Sequence, residues 1–229
     1  MDSLEQASRK ATWVVIAAMN EEAVITGVVA EVKSAGYSVV LVDDGSRDQT
    51  AARARSAGAV VIKHPINLGQ GAALQTGIDY AVKHGAKYLV TYDADGQMNC
   101  DDIPALIAAL ENADIALGSR FLGKAIEGAT TSRLALLKGA VMMSNRLSGL
   151  KLTDAHCGFR AFRASVAPRL RMQQDRMAHA SELLRKIKTS GVRVVEVPVV
   201  IRYTAHSMAK GQHGFQAVRI LFDYFFRAS

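Results

Sequence analysis

The stretch LVTYDADGQMNC, residues 89–100, is an apolar run that stops at two aspartates one residue apart, Asp93 and Asp95. The run is short and rich in β-branched and aromatic residues, which is typical of a strand buried on both faces. Carboxylates crowded at the end of such a strand repel each other, and a divalent cation relieves that repulsion. The motif Asp-x-Asp is weak by itself, and a solvated turn with a helix-capping aspartate is the alternative interpretation.

Strand-like and helix-like segments alternate on both sides of this stretch, with short connections. This alternation predicts an α/β fold, in which a Rossmann-like, mostly parallel sheet carries helices on both faces. The predicted strands are TWVVIAAM, SVVLVDDGS, AVVIKH, KYLVTYD and DIALGSR. The predicted helices between them are NEEAVITGVVAEVKSAG, DQTAARARSAG, GQGAALQTGIDYAVKHG and CDDIPALIAALENA. Asn20 is predicted to be the N-cap of the first of these helices.

The regular alternation of predicted strands and helices ends after residue 120. A Gly- and Thr-rich segment, FLGKAIEGATTSR, is expected to be a loop, and LALLKGAVMMSNRLSG and HASELLRKIKTSG are predicted helices. GFRAFRA is predicted to be a short strand. The last predicted strand, VRVVEVPVVIRY, contains a proline, which predicts a position at the edge of the sheet because proline cannot donate to a neighbouring strand.

Polar clusters follow four of the predicted strands, at Asn20–Glu21, Asp43–Asp44, 93–97 and Ser119–Arg120. In parallel sheets, ligands bind beyond the carboxyl ends of the strands. We therefore expect these four clusters to surround one ligand site.

The composition of the chain excludes several classes of protein. Its 229 residues are 49% hydrophobic and 21% charged, which predicts one domain over residues 1–229 with a flexible segment over residues 1–12. The 2 cysteines, the polar first ten residues and the absence of a long apolar run predict a cytoplasmic protein. The net charge of +7 is uneven, since residues 1–119 are acidic and the remainder is basic. A nucleic-acid partner is not expected, because the basic residues are not interleaved with aromatic ones.

Seven motifs in sequence order carry a family resemblance: VVIAAMNEE, LVDDGSRDQT, NLGQGAALQTGI, YDADGQ, LGSRF, TDAHCGFRAF and RYTAHSMAKGQ. In this order they resemble family 2 glycosyltransferases, and most closely the group of polyprenyl- and dolichyl-phosphate glycosyltransferases that includes the dolichol-phosphate mannosyltransferases. The resemblance runs from about residue 13 to about residue 214. It implies a GT-A fold, a nucleotide-sugar donor and Mg²⁺ or Mn²⁺.

The resemblance also implies roles for individual residues. The implied nucleotide-sugar contacts are Ala17, Met19, Glu21, Val42, Asp44, Asp93, Ala94, Asp95, Gln97, Arg202, Ser207 and Lys210. Members of the family commonly have Pro and Tyr where this chain has Ala17 and Met19. Metal contact is implied for Asp95, Gln97 and Asp93, with Asp95 and Gln97 closest to the metal and Asp93 nearer the sugar nucleotide.

Three further residues match family positions close to the reaction. Arg120 and Arg133 match arginines implied to contact the acceptor, and Asp154 matches an aspartate near the reacting sugar. Asp154, Asp95 and Arg120 are thus the implied catalytic residues. A solvated surface position is the alternative for Arg133.

The predicted function is an inverting, metal-dependent transfer from a UDP- or GDP-sugar to a polyprenyl or dolichyl phosphate or another lipid acceptor. An acceptor with a saccharide or small-molecule hydroxyl is the alternative, and Asp154 would then act as general base. A third hypothesis is a nucleotide-sugar-binding protein without activity.

Residues 215–229 form a predicted amphipathic helix with an aromatic face. This helix is expected either to lie on the cytoplasmic face of a membrane as a peripheral contact or to pack against its own domain or a second subunit in a homodimer.

Overall fold

The computed structural model describes residues 3–123, 131–172 and 178–202. A single seven-stranded sheet runs through this part of the chain, with the spatial order β3-β2-β1-β4-β6-β5-β7. The strands are β1 Thr12–Ala18, β2 Ser38–Asp43, β3 Val60–Lys63, β4 Tyr88–Asp93, β5 Ile115–Ser119, β6 Arg160–Arg163 and β7 Val194–Pro198. All neighbouring strands are parallel except for β6, which is antiparallel to both β4 and β5. The mostly parallel sheet and the edge position of the proline-containing strand are confirmed.

Helices cover both faces of the sheet, as the alternation of segments predicts. They are α1 Ser3–Lys10, α2 Ile25–Ser34, α3 Thr50–Ser56, α4 Gln70–Lys83, α5 Ile103–Ala109, α6 Thr131–Ser148 and α7 Ala178–Ser190. Short 3₁₀ segments span Cys100–Asp102 and Ala164–Leu170. None of the helices in the described part of the chain is both long and apolar enough to cross a bilayer.

The sheet separates two hydrophobic cores. One core packs α2, α3 and α5 against one face, and the other packs α4, α7 and the second 3₁₀ segment against the opposite face. Helix α4 lies very close to β1, because a Cβ atom at Gly77 would be only 2.5 Å from Cγ1 of Val15. This close approach brings the amino end of α4 to the carboxyl ends of the central strands.

Within the segment 1–12, which the sequence predicts to be flexible, residues Ser3–Lys10 form α1 and Thr12 is the first residue of β1. The Arg9 side chain links α1 to the segment that precedes β2. It donates to the backbone oxygen of Ala35 at 2.7 Å and lies over the ring of Tyr37.

Asn20 is not the N-cap of α2, because that helix begins five residues later, at Ile25. The Asn20 backbone has a positive φ of 54°, and its side-chain oxygen accepts a hydrogen bond from the backbone of Arg47 at 3.0 Å. The Asn20 amide is thus committed to the loop that follows β2. This bond ties the loops after β1 and β2 together.

The position of β6 determines the layout of the ligand edge. Because β6 runs against its neighbours, its first residues lie beside the carboxyl ends of β4 and β5. The chain also changes direction in the sheet here, since β2 and β3 lie on one side of β1 while β4 lies on the other. Such a switch point is the usual place for a ligand in an open α/β sheet.

Candidate active site

A cleft of about 610 Å³ opens at this switch point, above the carboxyl ends of β1 and β4. Its lining residues are Ala17, Ala18, Met19, Glu21, Asp44, Asn67, Gly69, Gln70, Asp93, Ala94 and Asp95. Most of the residues that the sequence assigned to the donor therefore meet here. The sequence assigned no role to Asn67, Gly69 and Gln70, although the motif NLGQGAALQTGI that contains them was part of the resemblance.

The two aspartates of the opening stretch lie together in the cleft. Asp93 is the last residue of β4, and Asp95 lies in the turn that follows, where it accepts a hydrogen bond from the backbone of Gln97 at 3.1 Å. Burial and then the Asp95 charge raise the pKa of Asp93 to about 6, against the opposing effects of Arg160 and Arg120. The carboxylates therefore repel each other, as the sequence led us to expect.

The donor set of this turn fits a hard divalent cation. Across residues 3–123, 131–172 and 178–202, no group of three or more His, Cys, Asp and Glu side chains is arranged to hold a metal. The protein offers two carboxylates, Asp93 and Asp95, beside Gln97. Mg²⁺ commonly takes one or two carboxylates and completes its shell with substrate phosphates and water. The arrangement therefore suits a cation that binds together with a diphosphate.

Asp44 is buried and holds the loop before α4. Its Oδ1 atom lies 2.8 Å from Nδ1 of His64 and accepts from the backbone of Leu68 at 2.9 Å, while Oδ2 accepts from Gly69 at 2.7 Å. Nε2 of His64 lies 3.0 Å from Oγ1 of Thr76, which anchors the pair to α4. Asp44 was predicted to contact the nucleotide, and it lines the cleft. Both of its oxygens, however, also shape the cleft wall by fixing this loop.

Val42 and Asp43, which precede Asp44 in the chain, do not line the cleft. Val42, also a predicted nucleotide contact, is fully buried and is not part of the cleft lining. The turn after β2 is made by Asp43, whose Oδ1 accepts from the backbone of Ser46 at 2.9 Å. Asp43, and not Asp44, thus forms the Asx turn of the Asp-Asp-Gly-Ser segment.

Met19 and Asn67 lie against each other on one side of the cleft. The side-chain amide of Asn67 donates to the sulfur of Met19, whose side chain is 43% exposed. A polarisable thioether thus stands where the family commonly has tyrosine, and it provides an adaptable apolar wall.

Arg120 and Asp154 form a buried ion pair beside the cleft. Oδ2 of Asp154 accepts from Nε of Arg120 at 2.5 Å and from its backbone nitrogen at 3.2 Å. Oδ1 of Asp154 accepts from the backbone of His156 at 3.2 Å. This geometry makes Asp154 an orienting group for Arg120. Since Arg120 lowers the pKa of Asp93, its charge is close enough to act on the cleft.

Two residues of this region were not predicted from the sequence. The carboxylate of Glu196, on β7, accepts from the backbone and hydroxyl of Thr153, both at 2.8 Å, and from the backbone of Asp154 at 3.0 Å. Arg160 is buried at the start of β6, where burial lowers its pKa and the charges of Asp93 and Asp154 oppose that change. Each residue is a single charge inside an apolar run, Glu196 in VVEVP and Arg160 in FRAF. Such a charge was the sequence signal that could have identified both residues.

The segment after β7 runs along the aspartate turn. The backbone of Arg202 donates to the backbone oxygen of Gln97 at 2.8 Å, and Ile201 forms an antiparallel bridge with Met98. The structure thus brings together two predicted donor residues, Arg202 and Gln97. Arg133 lies in α6, but its side chain is not among the described parts of the structure, and Ser207, Lys210 and residues 215–229 lie outside the described residues.

The comparison with known families settles the membership of the chain. Residues 13–171 match the family described as Glycosyl transferase family 2. The chain belongs to this family. The resemblance inferred from the seven motifs is therefore confirmed.

Relatives of this family 2 glycosyltransferase match it over most of their length. It is 31% identical to the UDP-N-acetylglucosamine–dolichyl-phosphate N-acetylglucosaminyltransferase of Methanococcus voltae, over 95% of this chain and 94% of that protein. It is also 31% identical to the polyprenol monophosphomannose synthase of Mycolicibacterium smegmatis, over 82% of this chain and 76% of that protein.

The fold is shared with a solved structure of a more distant enzyme. Glucosyl-3-phosphoglycerate synthase from Mycobacterium tuberculosis, in complex with Mn²⁺, UDP-glucose and phosphoglyceric acid, superimposes with a TM-score of 0.68 at 19% identity. The match covers 96% of this chain and 81% of that one. The predicted GT-A fold is confirmed.

Proposed function

We propose that this family 2 glycosyltransferase transfers a sugar from a UDP- or GDP-sugar to a polyprenyl or dolichyl phosphate, with inversion at the anomeric carbon. The observation that carries the proposal is the pair Asp93 and Asp95 at the end of β4, inside the cleft. The names of the relatives from Methanococcus voltae and Mycolicibacterium smegmatis support the acceptor class.

The cleft offers distinct surroundings for the two parts of the donor. Ala17, Met19 and Asn67 form an apolar and amide-bearing wall that suits the nucleoside. The turn with Asp93 and Asp95 suits the diphosphate together with Mg²⁺ or Mn²⁺. When bound, that cation supplies positive charge to the departing diphosphate. Glu21, Gln97 and Arg202 complete the proposed donor site, with Ser207 and Lys210 from the segment that follows.

The reaction that we propose needs little acid–base assistance. A lipid phosphate is already anionic, so one of its oxygens attacks the anomeric carbon without first losing a proton. The new C–O bond forms as the bond to the diphosphate breaks, and a nucleoside diphosphate leaves. Arg120, oriented by Asp154, and Arg133 are the proposed ligands of the acceptor phosphate, since guanidinium groups match phosphate geometry.

The donor is identified by ligand-dependent stabilisation. The midpoint of thermal unfolding is measured with UDP-, GDP- and dTDP-sugars, each with and without Mn²⁺. We expect one nucleotide to raise the midpoint, and only with the cation present, because a ligand that binds the folded state stabilises it. No shift with any of these donors would contradict the proposal.

The acceptor is identified by where the product partitions. The protein is incubated with a radiolabelled donor and polyprenyl phosphate, and the mixture is extracted with organic solvent. We expect label in the organic phase, lost on Asp95→Asn and retained on Asp101→Asn, since Asp101 is an exposed aspartate outside the cleft. Label confined to a water-soluble glycoside would favour the saccharide or small-molecule acceptor, and no turnover at all would favour a binding protein.

A lipid acceptor also implies contact with a membrane surface. We propose that residues 215–229 make this contact peripherally, on the cytoplasmic face. Flotation with anionic liposomes tests it, and the full chain should float while a variant lacking 215–229 should not. Equal behaviour of the two proteins, together with a change in oligomeric state on deletion, would instead assign residues 215–229 to a subunit contact.

A further inference from the structure

Gly158 lies directly opposite Asp93 in the sheet. Strands β4 and β6 pair with Thr91 facing Arg160, and this antiparallel register, continued by two residues, sets Gly158 against Asp93. The hydroxyl of Thr91 donates to the backbone oxygen of Gly158 at 2.7 Å, which fixes the peptide at this point. The backbone of residue 158 thus forms one wall around the Asp93 side chain.

The contact leaves no room for a side chain at residue 158. A Cβ atom built there would lie 2.7 Å from Oδ2, 2.8 Å from Oδ1 and 3.1 Å from Cγ of Asp93. Both oxygens would lie nearer to this Cβ atom than Cγ does, so the Asp93 carboxylate points its oxygens toward Gly158. Gly158 is absent from the described residues with positive φ, so the close approach rather than the backbone conformation requires glycine.

The segment that carries Gly158 cannot move back to make room. Its neighbours Cys157 and Phe159 are buried, and the Phe159 ring packs edge-on against Tyr92 with centroids 5.3 Å apart. The backbone oxygen of Phe159 accepts from Gly118 at 2.8 Å, which ties the segment to β5. A side chain at residue 158 would therefore displace the Asp93 carboxylate instead of the backbone.

The Gln70 side chain also approaches this carboxylate. Its Nε2 atom lies 3.4 Å from Oδ1 of Asp93, which is the long limit of a hydrogen bond. At Gly158, in contrast, even one added carbon atom would lie within 2.8 Å of both oxygens.

We propose that Gly158 is a positioning residue, which sets the depth of the Asp93 carboxylate in the cleft so that Asp93 and Asp95 share one divalent cation. This inference rests on the proposed function, because it assigns the two aspartates to the cation that accompanies the donor diphosphate. Groups that orient the ligands of a metal commonly change its affinity by about 10–100-fold when they are altered.

The test compares Gly158→Ala with Gly27→Ala. Gly27 lies in α2, and a Cβ atom there would have no neighbour within 4 Å. The affinity for Mn²⁺ is measured by electron paramagnetic resonance in the presence of UDP and, separately, GDP, after circular dichroism has shown each variant to be folded. We expect Gly158→Ala to weaken Mn²⁺ binding by at least about tenfold and Gly27→Ala to leave it unchanged. Equal Mn²⁺ affinity in Gly158→Ala and the parent protein would overturn the inference.

A thermodynamic cycle keeps the inference testable if Gly158→Ala is unstable. Asp93→Ala removes the oxygens that the new methyl group would meet, so Gly158→Ala should lower the unfolding midpoint in the parent protein but not in the Asp93→Ala background. An equal loss in both backgrounds would show that the methyl group clashes elsewhere, and it would overturn the inference. Failure of the parent protein to bind Mn²⁺ with either nucleotide would overturn the proposed function as well. If only the role of Gly158 is wrong, the parent protein still binds Mn²⁺ in the presence of the nucleotide.

Discussion

The Nε atom of Arg120 lies 2.5 Å from Oδ2 of Asp154, and both side chains are buried. The same oxygen also accepts from the Arg120 backbone, so the end of β5 and the segment that contains Asp154 are joined by a charged contact. Removing one partner of such a pair leaves the other charge buried, which is far more costly than losing an exposed pair. This relationship gives Asp154 an orienting role, and it makes the pair a sensitive point for mutation.

We expect Asp154→Asn to lower the free energy of unfolding by about 3–5 kcal/mol and to abolish most turnover, because the Arg120 charge loses its partner. Binding of the nucleoside diphosphate should persist, since neither residue lines the cleft. Urea unfolding and ligand titration measure the two effects. The matched control is Arg171→Met, which removes an exposed ion pair with Asp79 and should cost no more than about 1 kcal/mol. Equal costs for the two variants would argue against the orienting role.

Glu196→Ala should loosen the backbone segment that carries Asp154. It removes the acceptor of three hydrogen bonds, from the backbone and hydroxyl of Thr153 and the backbone of Asp154. We expect a loss of about 1–3 kcal/mol in the free energy of unfolding and a lower kcat with unchanged donor affinity. Glu196→Gln, which keeps one acceptor oxygen, should be milder, and the neighbouring Val195→Ala should leave kcat unchanged. A kcat of the parent value in Glu196→Ala would contradict this prediction.

Asp44→Asn should loosen the loop before α4. The amide nitrogen of asparagine cannot accept a hydrogen bond from the backbone of Leu68 or Gly69, so at least one buried donor loses its partner. We expect a loss of about 1–3 kcal/mol in the free energy of unfolding and weaker donor binding, measured by calorimetry. The exposed Asp101→Asn is the control and should match the parent protein. Parent-like donor affinity in Asp44→Asn would show that this loop does not define the nucleotide site.

The raised pKa of Asp93 predicts that cation binding depends on pH. Burial and the Asp95 charge raise that pKa to about 6, so the carboxyl is largely protonated at pH 5 and ionised at pH 7. Because a cation binds the ionised form, the affinity for Mn²⁺ in the presence of a UDP- or GDP-sugar, whose phosphates do not titrate near pH 6, should fall by about tenfold for each pH unit below 6. Asp93→Asn should bind Mn²⁺ weakly, without this pH dependence near 6. A parent protein with flat affinity between pH 5 and pH 7 would contradict the prediction.

The same pKa predicts how stability changes with pH in the absence of a cation. The folded pKa lies above the ordinary value of about 3.9, so ionising Asp93 disfavours the folded state. This cost is absent below about pH 4, grows as the pH rises to 6 and is constant above that value. Asp93→Asn should therefore raise the unfolding midpoint at pH 7.5, by about 2–4 °C for each kcal/mol released, and should have little effect at pH 4. An equal effect at both pH values would assign it to something other than ionisation.

Much of the site was predictable because its residues follow strands directly. Asp93, Asp95 and Gln97 lie at the end of β4 or just beyond it, and Ala17, Met19 and Glu21 lie at the end of β1 or just beyond it. The carboxyl ends of parallel strands meet at one edge, so their positions in the sequence already imply their proximity. The start of α2 was predicted wrongly at Asn20 because the Asn20 side chain bonds to the loop after β2, and no local pattern shows that partner.

The sequence by itself determined the alternation of strands and helices, the edge position of β7 and the acidic turn after β4, because local hydrophobic periodicity reports which face of each segment is buried. Only the tertiary structure decided that β6 enters the sheet antiparallel between β4 and β5, which sets Gly158 against Asp93, and that Glu196 of β7 lies beneath Asp154. These contacts join residues far apart in the chain, such as Thr91 and Gly158, which are separated by 67 positions. Strand pairing over such distances depends on how the whole sheet packs, and no single segment carries that information.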